Sequence, residues 1–125
     1  MPRPSVLIVD DHTAFRELAR EVLARSGFDV IGDATDGERA LRAAARLNPQ
    51  VVVLDVQLPG INGFEVARRL LAAPRPPVVV LVSTAEARDY GRRIGESGAI
   101  GFITKSNLSG DTLHALLRGH TEVLS

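Results

Sequence analysis

Two hydrophobic periods alternate five times along the chain, and that alternation restricts the fold more than any other property. Residues 5–9, Ser-Val-Leu-Ile-Val, form a short continuous apolar run, the pattern of a strand buried on both faces. From Thr13 the spacing becomes helical, with Phe15, Leu18, Ala19, Val22 and Leu23 on one face and Gly27 as a natural stop. Residues 28–31 read as a second, less buried strand. A helix follows from Asp36-Gly37-Glu38, with Asp36 able to cap free N–H groups. Its inner face is Ala40, Leu41, Ala44, Ala45 and Leu47, and Asn48-Pro49 ends it. Residues 51–54 are a third buried strand with Asp55 at its carboxyl end. Asn62 and Glu65 resemble a capping box opening a helix through Val66, Ala67, Leu70 and Leu71, which Pro74, Pro76 and Pro77 break. Residues 78–82 give the fourth strand, 85–96 a weak helix interrupted by Gly91 and Gly95, and 100–103 the fifth strand. The last helix starts near Ser109, buries Leu113, Leu116 and Leu117, and stops near Gly119.

Five β-α units in series predict a parallel five-stranded sheet with right-handed crossovers and helices on both faces. The expectation is one doubly wound α/β domain over residues 1–125, with no repeat and no output domain. A chain of 125 residues is long enough for one proper core. Its zero formal net charge gives no reason to expect direct nucleic-acid binding or a membrane-surface partner. The apolar runs are far too short to span a bilayer, and without cysteine there is no disulfide framework and no thiolate metal site. A cytoplasmic location is the simplest expectation. Fourteen arginines stand beside a single lysine, Lys105, which singles that residue out.

In open α/β sheets ligands bind beyond the carboxyl ends of the strands. The residues at those ends are Asp10 and Asp11, Asp55, Ser83-Thr84, and Lys105. Carboxylates crowded together repel one another unless a cation sits between them. Mg2+ suits such a site because it favours oxygen ligands and pairs with phosphate oxygens. Lys105 adds a compact positive charge and Ser83 a neutral donor. The set is able to stabilise a transferring phosphoryl group while a carboxylate attacks in line. Asp55 is the natural nucleophile, since it follows the most apolar strand and faces both the metal and Lys105. His12, His114 and His120 show no ligand spacing and read as surface residues.

Asp10-Asp11, the run 53–60 with Asn62-Gly63, Ser83-Thr84-Ala85 and the run 101–105 together resemble the receiver signature of bacterial response regulators. The resemblance covers nearly the whole chain. It implies a flavodoxin-like sheet of order 2-1-3-4-5 and phosphoryl transfer from a sensor histidine kinase to Asp55. It further implies that Asp11 and Asp55 ligate Mg2+, that Asp10 holds a metal-bound water, and that Gln57 offers its backbone carbonyl. Lys105 would bridge to the phosphoryl group, with Ser83 at the hydroxyl switch position and Phe102 at the aromatic one. Many receivers carry proline after this lysine, whereas Ser106 follows here, so a trans peptide or a rearranged loop is expected. Residues 105–109 are similar to receivers of LuxR-type transcription regulators.

The fourth helix is marginal, because each interior glycine costs about 1 kcal/mol against alanine. A two-state surface of the fourth helix, fifth strand and fifth helix is therefore expected, with Arg88, Arg92 and Arg93 as partner or homodimer contacts. Two other classes fit less well. A phosphohydrolase using an aspartyl phosphate would want a second Asp where Gln57 stands, and a nucleotide- or flavin-binding domain would want G-x-G-x-x-G after the first strand. A phosphorylation-independent, receiver-like dimerisation scaffold stays open.

Overall fold

The five apolar runs become five parallel strands, each followed by a helix or a helical turn. The computed structural model describes the backbone of residues 3–124 and the side chains of residues 3–119. In chain order the elements are β1 (Ser5–Val9), α1 (Thr13–Arg25), β2 (Asp29–Ala34), α2 (Gly37–Leu47), β3 (Val51–Asp55), α3 (Gly63–Leu71), β4 (Val78–Ser83), α4 (Arg93–Glu96), β5 (Gly101–Thr104) and α5 (Gly110–Leu124). Short 3-10 turns cover Ala87–Asp89 and Lys105–Asn107. The sheet order is β2-β1-β3-β4-β5, every pair parallel, as the resemblance implied.

Side chains alternate between the two faces of a strand, and this places both the core and the site. Leu7, Val9, Val52, Leu54, Val79 and Leu81 pack with α2 and α3 residues such as Ala40, Val66 and Leu70. Val6, Ile8, Val51, Val53, Val80 and Val82 pack with Ala19 and Leu23 of α1 and Leu113 of α5. Each fully buried branched side chain contributes on the order of 1.5–3 kcal/mol. Carried past the strand ends, the same parity puts Asp10, Asp55 and Lys105 on the α1/α5 face. Ser83 falls on the other face, where Phe102 packs.

Asp36 and Asn62 cap as expected, accepting from Arg39 N at 2.8 Å and Glu65 N at 3.0 Å. The second half of the expected box gives way to another partner: the Glu65 carboxylate pairs with Arg68 and Arg69. Gly63 is required by close approach. Its N–H donates to the Val56 carbonyl at 2.8 Å, and a Cβ there would overlap the Asp55 carbonyl oxygen. That contact locks the start of α3 against the strand end carrying Asp55.

Several expectations need correction. The second strand runs to Ala34, because β1 pairs with it along its whole length although Gly32 and Asp33 break the apolar pattern. In α2 it is Ala43 that is buried, whereas Ala45 faces solvent. The weak helix over 85–96 is not continuous: Gly91 adopts φ +57°, a left-handed conformation that interrupts it and leaves only the four residues of α4. The last helix passes through Gly119 and continues to Leu124. Leu18, expected on the inner face of α1, is 59% exposed at the margin of that stripe. Leu18→Ser is accordingly expected to change stability by less than about 0.5 kcal/mol in urea unfolding; a loss above about 2 kcal/mol would mean that Leu18 packs against the core.

Candidate functional site

Asp10, Asp55 and Lys105 meet at the carboxyl edge of the sheet because the turns after β1, β3 and β5 converge there. The Asp10 side chain is fully buried, that of Asp55 is 3% exposed and that of Lys105 11%. Lys105 Nζ lies 2.6 Å from Asp10 Oδ2 and 3.3 Å from Asp55 Oδ2, and 4.7 Å from the centre of the Phe15 ring. The ammonium thus lies over the Phe15 ring of α1 and brings one positive charge to two buried negative ones.

The backbone holds each carboxylate in place. Asp10 Oδ1 accepts from His12 N at 2.8 Å, and the Asp10 carbonyl accepts from Arg16 Nη1 at 2.8 Å. Asp55 Oδ1 accepts from Gln57 N at 3.1 Å. Burial raises the Asp55 carboxyl above its ordinary value; the Gln57 N–H opposes this, the Asp10 charge adds to it, and Lys105 works against it. Burial pulls the Lys105 ammonium down, but its close pairing with Asp10 and the charge of Asp55 together leave it raised.

Asp11 lies at the mouth, its side chain 37% exposed. His12, read from the sequence as a plain surface residue, joins the group. Its ring is largely in solvent, yet Nδ1 sits 3.1 Å from both Asp10 Oδ1 and Asp11 Oδ1. One ligand atom from each of Asp10, Asp11, His12 and Asp55 falls within 4.8 Å of the others. Asp10 Oδ2 has Lys105 beside it, but no donor meets it in line; among the described residues it is the one buried side-chain polar atom without a hydrogen bond. A buried, under-satisfied carboxylate oxygen beside two more carboxylates is what a hard divalent cation would satisfy, so the residues fit Mg2+.

Ser83 is brought to the same edge but not into the same contacts. Its hydroxyl, fully buried, lies 2.7 Å from the Tyr90 hydroxyl and accepts from Ala85 N at 3.1 Å. The Tyr90 ring packs against Phe64, 5.5 Å between centroids, and against Phe102, 5.9 Å. Of the expected arginine contacts, Arg93 lies over the Phe64 ring at 4.4 Å, while Arg88 and Arg92 are exposed. The Lys105–Ser106 peptide is trans and lies within the 3-10 turn Lys105–Asn107.

His114 is not a surface residue: its ring stacks on Phe28 at 4.2 Å, and Nε2 lies 2.7 Å from the Ser26 carbonyl. The His120 side chain lies outside the described residues. Sequence reasoning missed Phe64 and the Tyr90–Ser83 contact. The adjacency Asp-Asp-His at the end of β1 was the one available signal for His12.

Comparison with known proteins shows the family and the fold. The family model described as the response regulator receiver domain matches residues 6–118. Response regulator GacA of Pseudomonas viridiflava is 41% identical over 101 residues, covering 80% of this chain and 47% of GacA. Protein-glutamate methylesterase/protein-glutamine glutaminase 6 of Anaeromyxobacter dehalogenans is 43% identical over 106 residues, covering 84% of this chain and 30% of that protein. The chain thus spans about half the length, or less, of these relatives. Among solved structures, a LuxR-family two-component response regulator from an Aurantimonas species aligns with a TM-score of 0.78 at 30% identity, over 83% of this chain and 75% of the other. No helix among the described residues is long and apolar enough to cross a membrane. With the family model spanning nearly all of the folded chain and the sheet order in agreement, this protein belongs to the receiver domains of two-component response regulators.

Proposed function

We propose that this receiver accepts a phosphoryl group on Asp55 from a sensor histidine kinase and relays the event through the surface of α4, β5 and α5. The observation that carries the reading is the placement of Lys105 Nζ between two buried carboxylates, one of them Asp55 at the end of the central strand. An Asp55 oxygen attacks phosphorus in line, and the bond from phosphorus to the donor nitrogen breaks as the new bond to oxygen forms. Lys105 is released from part of its pairing as the Asp55 oxygen becomes esterified, and its charge is then free to face a phosphoryl oxygen. Gln57 N holds the other Asp55 oxygen and so fixes which oxygen attacks.

Asp11, Asp55 and the Gln57 backbone carbonyl are the residues to hold Mg2+, with Asp10 acting through a water. The cation would supply charge neutralisation for the crowded carboxylates and the incoming phosphoryl oxygens. Ser83 would give its hydroxyl to a phosphoryl oxygen, and Phe102 would respond beside it. No separate substrate is turned over.

The responding surface carries a groove of about 460 Å³ lined by Ala87, Phe102, Ile103, Thr112 and Leu116, suited to a protein partner or a second copy of the chain. Direct nucleic-acid binding by this domain is not part of the proposal. All of residues 1–125 belong to the receiver in this reading, which places it in the cytoplasm with its kinase.

Intact mass after incubation with acetyl phosphate and Mg2+ tests the proposal. Wild type is expected to gain one phosphoryl group and Asp55→Ala none. No gain in wild type, with Mg2+ binding verified, would favour a phosphorylation-independent scaffold.

A further inference from the structure

We infer that Tyr90 is a positioning residue for Ser83: its hydroxyl holds the Ser83 hydroxyl away from the phosphoryl position in the resting chain, and phosphorylation must displace it. The inference rests on the proposed phosphoryl site at Asp55 and concerns how that site is read out.

The argument is one of hydrogen-bond accounting. A serine hydroxyl has one proton and two lone pairs. The Ala85 N–H occupies one lone pair of Ser83 Oγ at 3.1 Å. The Tyr90 hydroxyl, at 2.7 Å, takes either the other lone pair or the proton. If Ser83 donates to Tyr90, no proton remains for a phosphoryl oxygen. If Tyr90 donates, the proton is free, but the oxygen stays tethered on the α2/α3 side of the sheet, opposite in parity to Asp55 and Lys105. Either way, reaching the phosphoryl group costs the Tyr90 bond. A charged phosphoryl oxygen is a stronger acceptor than a neutral phenol, so the exchange runs forward once Asp55 is esterified.

The displaced hydroxyl then has consequences beyond the site. It has no second hydrogen-bond partner among the described residues, and its ring is wedged between Phe64 and Phe102. Losing Ser83 drives the hydroxyl toward water, and the ring takes the neighbouring backbone with it. That backbone resists little. A three-residue 3-10 turn precedes Tyr90, Gly91 follows it at φ +57°, and the four residues of α4 complete the segment. Phe102 of β5 loses a ring neighbour in the same step. Tyr90 thereby connects the Ser83 hydroxyl to the surface of α4 and β5 through one bond that is made in the resting chain and broken in the phosphorylated one.

A double-mutant cycle tests this with the beryllofluoride–Mg2+ complex, which copies a phosphoryl group on a carboxylate without covalent chemistry. Its affinity is measured for wild type, Tyr90→Phe, Ser83→Ala and the double variant. Tyr90→Phe keeps the ring and removes only the competing hydroxyl. It is expected to tighten binding roughly three- to tenfold, the effect of one neutral hydrogen bond. In the Ser83→Ala background the same change is expected to shift affinity by less than about twofold, because the two residues act as one unit. Unchanged or weaker binding by Tyr90→Phe overturns the assignment. Equal tightening in both backgrounds overturns it as well, since the ring and not Ser83 would then be responsible. A wild type that neither binds the complex nor takes up phosphate removes the phosphoryl reading itself, whereas a wild type that binds while the cycle stays flat removes only Tyr90.

Discussion

Lys105→Ala is expected to destabilise the metal-free protein by about 3–5 kcal/mol, because it strands buried carboxylates without their cation. Asp10 is fully buried and Asp55 nearly so, and among the described residues the ammonium beside them is Lys105 Nζ, at 2.6 and 3.3 Å. The loss is electrostatic, so Lys105→Met, which keeps a long unbranched side chain without the charge, is expected to cost nearly as much as Lys105→Ala. Urea unfolding in EDTA measures both. Mg2+ is expected to restore more stability to either variant than it adds to wild type, since it supplies the missing positive charge to the same carboxylates. The pH dependence has a definite sign. The folded Lys105 is raised above its ordinary 10.5, so its contribution is complete below 10.5 and is lost only as pH climbs through the folded value. At neutral pH the Lys105 contribution is therefore complete. If both variants stayed within about 1 kcal/mol of wild type, the two carboxylates would have to be neutral or hydrated in the folded chain, and Lys105 would be a bystander.

Much of this was legible because the relevant signals are local and periodic. The continuous apolar runs at 5–9, 51–54 and 78–82 identify buried strands, and strand ends locate the site in a doubly wound sheet. Asp10, Asp55 and Lys105 were therefore readable from chain position alone. Ser83 was placed at the right edge but with the wrong neighbours. Counting parity from Leu81 assigns it to the opposite face from Asp55, and its actual partner, Tyr90, depends on a backbone conformation that the pattern hides. Gly91 at φ +57° ends the turn that brings Tyr90 inward, so a continuous helix over 85–96 was the wrong template. His12 was missed for a related reason: its ring reaches the carboxylates through the tight turn between β1 and α1, and ligand spacing rules describe helices and hairpins. Leu18 and Ala45 show the limit of helical periodicity, which finds a stripe but not its edge. His114 shows another, since stacking on Phe28 joins α5 to the start of β2 across most of the chain length.

Asp55→Asn is expected to abolish phosphoryl uptake and, without metal, to stabilise the fold by about 1–3 kcal/mol at neutral pH. Burial is the main reason the folded Asp55 carboxyl is raised, and the Asp10 charge adds to it. Between the ordinary value of 3.8 and the raised folded value, the folded chain holds the Asp55 proton more tightly than the unfolded chain does. The Asp55 contribution to stability therefore falls as pH rises through that window and is unfavourable above it. The asparagine side chain keeps the shape and the acceptor for Gln57 N while removing the charge, so the difference between variant and wild type isolates this group. That difference is expected to be constant above the raised folded value and to shrink as pH is lowered through it toward 3.8. Mg2+ should reverse the order of the two proteins, because the cation stabilises the folded wild type through the Asp55 carboxylate and gains little from an amide. Thermal unfolding of both proteins in EDTA and in Mg2+ reads all three effects. An asparagine variant less stable than wild type in EDTA would mean that the Lys105 pairing outweighs the burial of Asp55. The strand end would then be built for an ion pair first and for phosphoryl chemistry second. The opposite result identifies Asp55 as a site held at a cost to the fold, as expected of a nucleophile that a cation and a phosphoryl group are meant to relieve.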